Sequence, residues 1–436
     1  MNKTKEIWIT SFALFSLFFG AGNLLIPPML GYKAGGLWIW VLLGFCLTAV
    51  VIPIVGIFAH AKLQGTMFDF GKKVSPVFSL VYCVLIYLIS ITIPSPRTAS
   101  AVHEIAIYPW LGSKAIYTSA VYFLFVFIVV LNRAKLMNLL GKYLTPLLVI
   151  ILLLVIGIGL FSSQMLGNES EFAFPIVDGI LEGYQTFDAI GAVVVGGVII
   201  VSLNLNTQSA FENKGELIRK AGLFAGLGLF LIYAGLIAVG SFYGADIVID
   251  GANSTDMQRA NLLRGLSQST LGNIGNVFLS TLITLACFTT AVGIITGTAD
   301  YFKGLFNQSQ KVFVGVAFVA SALGILVGQL NFHSIIVIAI PVLMIVYPIT
   351  IVLILLNVLP EKYGSKNVFR AVILITILFS IPDFLGAIGV LTTPLSTIKA
   401  YIPLSAYSFG WVFPALFTWL MVNVYLKKIK PTAIKK

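Results

Sequence analysis

Apolar residues in this chain come in long runs separated by short polar segments. Twelve runs are long and apolar enough to cross about 30 Å of hydrocarbon as helices. They cover 7–30, 36–59, 76–106, 115–131, 143–163, 179–204, 220–244, 272–299, 311–329, 334–358, 367–390 and 403–426. The third is too long for one upright crossing and is expected to tilt. The first is broken in its middle: the apolar stretch Ile7 to Phe18 gives way to Phe19-Gly20-Ala21-Gly22-Asn23, then resumes as Leu24-Leu25-Ile26 before Pro27-Pro28. The sixth starts near Gly179 and is interrupted around Tyr184-Gln185-Thr186-Phe187-Asp188 before Ala189 to Ser202 continue it.

Lipid cannot satisfy a bare backbone N–H or C=O. Unwound chain at membrane depth therefore survives only inside protein or around a cavity. There its peptide groups become ligand atoms, half-helix N-termini for anions and freed carbonyls for cations. Both breaks open a five-span block, and because five is odd the second block must be inverted. Paired broken spans in inverted halves point to a secondary transporter with its site near the bilayer midplane. The expected architecture is an all-α integral membrane protein of about twelve transmembrane helices. Residues 1–163 form the first five-helix repeat, 164–358 the inverted second, and 359–436 two additional helices with a basic tail. No linker is long enough for a soluble domain, and the polar loop 245–271 is expected to hold a short helix.

Composition sharpens this picture. The chain is 58% hydrophobic and 10% charged, against about 25% charged for soluble domains, and its mean hydropathy is +1.01. The net charge of +11 does not indicate nucleic acid, because of where it lies. With Lys3 and Lys5 in the cytoplasm and alternating spans, cytoplasmic segments hold 21 of the 27 Lys and Arg. The outer loops hold five, Lys33, Lys114, Arg259, Arg264 and Lys399, and Arg97 falls within a span. Positive residues stay inside, so both termini are expected to be cytoplasmic. The N-terminus superficially resembles a signal peptide, but hydrophobicity resumes at once after Gly22, so the segment is expected to stay as a span. Trp38, Trp40, Trp110 and Trp411 lie near span ends as interface anchors do. Cys46, Cys83 and Cys287 lie inside spans, where they serve as small packing residues and imply no disulfides.

Each candidate residue has a plain reading beside its functional one. Gly20, Ala21 and Gly22 could simply allow close helix packing; with Asn23 beside them, two glycines and a carboxamide in five residues favour unwinding. Asn23 could brace the break or ligate a cation. Asp188 is an intramembrane carboxylate, which by default marks function. It could also be the N-cap of the second half of span 6, a role open to Thr186 as well. Glu182 lies nearer the outer end, where water can solvate it. Thr289 and Thr290, in the middle of span 8, could bond their own helix at i−4 or offer hard oxygens to a small cation, together with a carbonyl one turn earlier. Arg97 and Glu104 are two helical turns apart, as a structural ion pair or an outer gate would be. Asp383 follows Pro382 and caps a kink. His103 and His333 fall at outer span ends and His60 at an inner end.

The stretch Phe12-Ala13-Leu14-Phe15-Ser16-Leu17-Phe18-Phe19-Gly20-Ala21-Gly22-Asn23-Leu24 resembles the signature first span of bacterial branched-chain amino acid:cation symporters, in the amino acid–polyamine–cation superfamily. Pro96-Arg97-Thr98-Ala99 resembles their third-span motif. Glu182-Gly183-Tyr184 and Thr186-Phe187-Asp188-Ala189 resemble the sixth. The resemblance covers the whole chain and implies a leucine-transporter-like fold of five plus five helices with spans 1 and 6 broken. It implies a Na⁺ site joining backbone around Ser16 and Phe19 to Ala286, Thr289 and Thr290, and a substrate carboxylate at the amides near Ala21 and Gly22. It also implies that spans 1, 2, 6 and 7 move as a bundle, with Gly222 and Gly226 allowing close packing in span 7.

The reading that follows is a symporter in the bacterial cytoplasmic membrane that imports Leu, Ile and Val with Na⁺ or H⁺. Gly20, Ala21, Gly22, Asn23, Thr186, Phe187 and Asp188 bind the substrate. The expected partners are the amino acid and membrane lipid. No cofactor beyond the coupling ion, no nucleic acid and no obligatory protein partner is expected. The rivals are a symporter for another neutral amino acid, an intramembrane enzyme, and a channel. An enzyme would need a nucleophile–base pair or metal-ligand spacing at depth, and no His lies near a Ser or Cys in the central spans.

Overall fold

The computed structural model describes residues 3–132, 138–162, 169–206, 211–243, 255–330, 332–390, 399 and 401–429. The tail past Ile429, the loop before Thr255 and the His333 side chain lie outside the described residues. All regular elements among the described residues are helical. Span 1 is α1 (Lys3–Phe18) and α2 (Ala21–Ala34); span 2 is α3 (Trp38–Cys46) and α4 (Ile52–Leu63), joined by a π turn. Span 3 is α5 (Pro76–Thr92) and α6 (Pro94–Ala101), span 4 is α7 (Ala115–Leu131), and span 5 ends in α8 (Thr145–Ser162). Span 6 is α9 (Pro175–Tyr184) and α10 (Asp188–Asn206), bent by 43°. Span 7 is α11 (Phe211–Tyr243), and the polar loop after it carries α12 (Thr255–Leu271). Spans 8 to 12 are α13 (Gly275–Leu305), α14 (Gln310–Val327), α15 (Phe332–Val358), α16 (Lys366–Ala387) and α17 (Val412–Ile429).

All twelve apolar runs therefore fall on helices. Among the described residues, eight continuous helical stretches are at least 18 residues long and apolar enough to cross a membrane, or nine with the bent span 6. Hydropathy counts twelve because it divides what helical continuity joins: Ala21–Leu63 runs through the end of span 1 and all of span 2. Ala115–Leu131 and Val412–Lys427 are apolar but shorter, and α1 has 16 residues.

Two runs differ from expectation. Span 3 is interrupted at Ile93, ahead of Pro94, and carries a π turn at Val102–Ile107. Proline lacks an N–H and crowds the preceding turn, which accounts for the interruption of helix at Ile93. The last run was expected from 403, yet α17 begins only at Val412. Leu404 and Ser408 before it have φ of 63° and 58°, a left-handed conformation that no α-helix accommodates. Trp411, expected as an interface anchor, is buried at the start of α17, whereas Trp40 and Trp110 are exposed. The three cysteines are buried and in no disulfide among the described residues.

The chain divides into two compact units. The first, 1–64 with 87–336, holds both broken spans. Within it spans 1, 2, 6 and 7 pack on one another, and spans 3, 8 and 9 with span 4 form a second set. Small residues set the spacing inside the first set. A Cβ on Gly31 of α2 would lie 1.8 Å from the Ile237 carbonyl oxygen of α11, so these backbones touch. A Cβ on Gly226 would come within 2.7 Å of Ile54 and one on Gly222 within 3.0 Å of Ile57, so span 7 does use these glycines against span 2. The second unit, 65–86 with 337–436, is held by α16 on α17, by Tyr82 to Thr350 at 2.9 Å, and by Asn357 to the Phe70 carbonyl at 3.1 Å.

Candidate functional site

The first break is the pair Phe19 and Gly20 between α1 and α2. The last turn closes with Phe19 N–H to the Phe15 carbonyl at 2.9 Å. Gly20 is extended, with φ −113° and ψ −162°, and its carbonyl opens α2 by accepting from Leu24 N–H at 3.2 Å. Asn23 braces the gap: its Oδ1 accepts from the Gly20 N–H at 3.2 Å. Its Nδ2 donates to Asp188 Oδ2 at 2.6 Å and to the Tyr233 hydroxyl, and that hydroxyl also bonds Asp188. Gly22 lies in the first turn of α2 rather than in the gap. Its smallness serves space, not an unusual φ: a Cβ there would lie 3.4 Å from Arg97 Nη2, 3.4 Å from the Gln185 carbonyl and 3.5 Å from Thr186 Cα.

The second break covers Gln185, Thr186 and Phe187. Phe187 has φ 64°, a strained conformation for an aromatic residue. Its carbonyl accepts the first bond of α10, from Gly191 at 2.7 Å, so Phe187 holds the cap position and Asp188 is already helical. The expectation that Asp188 caps its own helix is thereby corrected. Its carboxylate points across to Asn23 and Tyr233, while Thr186 Oγ1 takes the Asp188 N–H at 3.4 Å and donates to Gly183 at 2.8 Å. Asp188 is 3% exposed and stands in the first turn of α10, an end of the helix that favours a carboxylate when it is ionised.

Arg97, 3% exposed, reaches from α6 to the same place. Its Nη1 donates to the Gln185 carbonyl at 2.8 Å, and its guanidinium lies 6.0 Å from the Phe187 ring centroid. Glu104 lies beyond the start of the π turn, with Ser100 Oγ 3.5 Å from its carboxylate. Glu182, read as solvated, is an ion-pair partner: Arg259 of α12 meets it at 2.6 Å, and the Arg259 Nη1 donates to Gln185 Oε1 at 3.2 Å.

Span 8 supplies hydroxyls beside the first break. Thr289 Oγ1 lies 2.8 Å from the Ser16 carbonyl and 3.0 Å from the Ala286 carbonyl. Thr290 Oγ1 is buried without a hydrogen-bond partner among the described residues, and a Cβ on Gly20 would sit 3.0 Å from it. Three of the five expected cation-site residues thus meet through their oxygens, and Thr290 turns an unsatisfied hydroxyl toward the break. The Phe19 ring stacks with those of Phe15 and Tyr233 at 5.4 and 6.1 Å, anchoring the end of α1. Such a set of carbonyl and hydroxyl oxygens has the hardness a small alkali cation prefers.

One cavity is lined by Gly20 to Asn23, by Thr186 to Asp188, and by Arg97 and Thr290, with an apolar wall from Phe18, Ile190, Val194 and Ile294. Sequence reading missed Tyr233, one of several aromatic residues in a long apolar span, with no local signal to set it apart. It also missed Arg259, which lies 77 positions from Glu182.

Solved structures similar to this chain share its fold. A Na⁺-coupled sialic acid symporter in a substrate-bound outward-open state aligns with TM-score 0.61 at 13% identity, covering 96% of this chain and 90% of that one. MhsT in complex with L-phenylalanine aligns with TM-score 0.53 at 17% identity, covering 95% and 97%. Inward-facing Mhp1 aligns with TM-score 0.54 at 12% identity, covering 96% and 91%. At these identities they show the fold, the leucine-transporter-like arrangement. Among curated proteins, one of Staphylococcus aureus (strain USA300), named as a branched-chain amino acid carrier, is 31% identical over 97% of this chain and 98% of its own length. The branched-chain amino acid permease BraB of Bacillus subtilis is 32% identical over 94% of this chain and 93% of its own. The model of the branched-chain amino acid transport protein family matches residues 3–429. This chain is a multi-pass membrane transporter, not an enzyme, and it belongs to the branched-chain amino acid transport protein family.

Proposed function

We propose that this protein imports leucine, isoleucine and valine across a bacterial cytoplasmic membrane together with Na⁺, by alternating access around the cavity between the two breaks. The observation that carries the reading is the Asn23–Asp188 bond at 2.6 Å, which joins both breaks at one cavity. The N-terminal turn of α2 presents the amides of Ala21 and Gly22 to a substrate carboxylate, because the first N–H groups of a helix have no intrahelical partner. Gly20, Asn23, Thr186, Phe187 and Asp188 form the rest of the substrate site, and the apolar wall receives the branched side chain. Na⁺ sits among the Ser16, Phe19 and Ala286 carbonyls and the Thr289 and Thr290 hydroxyls. The two repeats run from 1–163 and 164–358, with 359–436 outside them and both termini in the cytoplasm. Spans 1, 2, 6 and 7 move against spans 3, 4, 8 and 9.

One observation favours H⁺ as an alternative coupling ion. Asp188 is buried with an amide and a phenol as partners, and a buried carboxylate is costly to keep charged without a cation. Uptake of labelled leucine into proteoliposomes separates the readings. A Na⁺ gradient at symmetric pH is expected to drive accumulation. Accumulation driven by a pH gradient alone would transfer the coupling role to the proton, and uptake of neither kind would reject the symporter.

A further inference from the structure

We propose that Arg97 is the specificity residue for the substrate's carboxylate, an inference that rests on the cavity being an amino-acid site. Past the interruption at Ile93, α6 brings Arg97 to both breaks, and Arg97 there is a cation buried to 3% exposure. Its Nη2 lies 3.4 Å from where a Cβ on Gly22 would stand, with the Gln185 carbonyl at the same distance. The guanidinium thus stands close beside the first turn of α2, and Arg97, Ala21 and Gly22 line one cavity. A carboxylate bound in that cavity has the guanidinium and the α2 amides on the same wall. The fork is already oriented: Nη1 is tied to the Gln185 carbonyl at 2.8 Å, and the guanidinium lies 6.0 Å from the Phe187 ring centroid. A planar, oriented guanidinium suits a carboxylate better than a point charge does. Asp188 lines the same cavity and, when ionised, gives the ammonium of a zwitterion its counter-charge. Arg97 thus selects amino acids over amines and amides.

The test compares binding of leucine with leucinamide, which keeps the ammonium and side chain but lacks the carboxylate. Purified full-length wild type, Arg97→Gln and Arg97→Lys are measured in saturating Na⁺. Wild type is expected to prefer leucine strongly. In Arg97→Gln, leucine affinity should fall about 10- to 100-fold, the range for a lost charge-assisted hydrogen bond, while leucinamide affinity changes less than about threefold. Arg97→Lys should keep part of the preference. The ratio of the two ligands is taken within each variant, so a partly unfolded fraction cancels. Equal losses for both ligands would make Arg97 a structural strut and overturn the proposal, as would an unchanged leucine affinity. A wild type that binds no neutral amino acid would overturn the parent reading and this inference with it, whereas leucine binding with an unchanged ratio in Arg97→Gln rejects the inference alone.

Discussion

At the scale of single residues, the site turns on three side chains that meet from spans 1, 6 and 7. Asn23 uses both ends of its carboxamide, Oδ1 to fix the Gly20 N–H and Nδ2 to reach Asp188 and Tyr233. Removing Asp188 leaves a buried amide and a buried hydroxyl short of an acceptor. Each such group costs about 1–3 kcal/mol. Asp188→Ala is therefore expected to lower the unfolding temperature in detergent and to abolish leucine uptake. Asp188→Asn keeps an acceptor at that place. It should fold close to normally, so residual uptake in Asn tests whether the charge itself is needed. If Asp188→Ala transports at wild-type rates, the bridge between the breaks has no function. Thr290 is the converse case. Its hydroxyl has no partner to lose among the described residues, so Thr290→Ala should leave stability nearly unchanged while raising the Na⁺ concentration for half-maximal uptake. An unchanged Na⁺ dependence would remove Thr290 from the cation site.

At the scale of elements, close approach decides what a substitution does. Gly22→Val would push methyl groups at Arg97, the Gln185 carbonyl and Thr186, all within 3.5 Å of a bare Cβ. Leucine binding should be lost with the protein still inserted; binding at wild-type affinity would mean that this face of α2 is not part of the site. The tie between α12 and span 6 makes a second element-scale prediction. Arg259 is 4% exposed and its partner Glu182 26%, so taking away one partner strands the other in a poorly solvated place. Arg259→Gln is expected to raise amide hydrogen exchange across the buried leucines of α12, and a Glu182→Arg, Arg259→Glu swap should restore part of the protection. Unchanged exchange in Arg259→Gln would show that apolar contacts alone hold α12. The sequence made the first break legible because two glycines and an asparagine interrupt an otherwise apolar run. It also marked the second, but local pattern cannot say which carbonyl closes the first turn of a helix. Asp188 looked like the cap for that reason, while a positive φ at Phe187 gave the role to its neighbour. Tyr233 and Arg259 were not legible at all, since their partners lie 210 and 77 positions away.

At the scale of the whole molecule, the polar contacts sort by what they connect. Asn23, Asp188 and Tyr233 link spans 1, 6 and 7, which lie within the set expected to move together. Two other contacts cross from that set to the other one: Thr289 of span 8 to the Ser16 carbonyl at 2.8 Å, and Arg97 of span 3 to the Gln185 carbonyl at 2.8 Å. The first lies at the proposed cation site and the second at the proposed carboxylate site. On the proposed alternating access, a ligand bound at either place would stabilise particular arrangements of one set against the other, and both ligands would act on the same two-state element. Linkage makes the consequence reciprocal: if Na⁺ tightens leucine binding by some factor, leucine tightens Na⁺ binding by the same factor, typically about 5- to 150-fold. A grid of leucine titrations at stepped Na⁺ concentrations should give that shared factor in wild type. Thr289→Val keeps the volume but removes the hydroxyl that bridges Ser16 and Ala286. It should bring the factor close to one, with leucine affinity in zero Na⁺ little changed. Leucine affinity that ignores Na⁺ in wild type would break the link between the two sites, and a full factor surviving in Thr289→Val would place the coupling in other contacts.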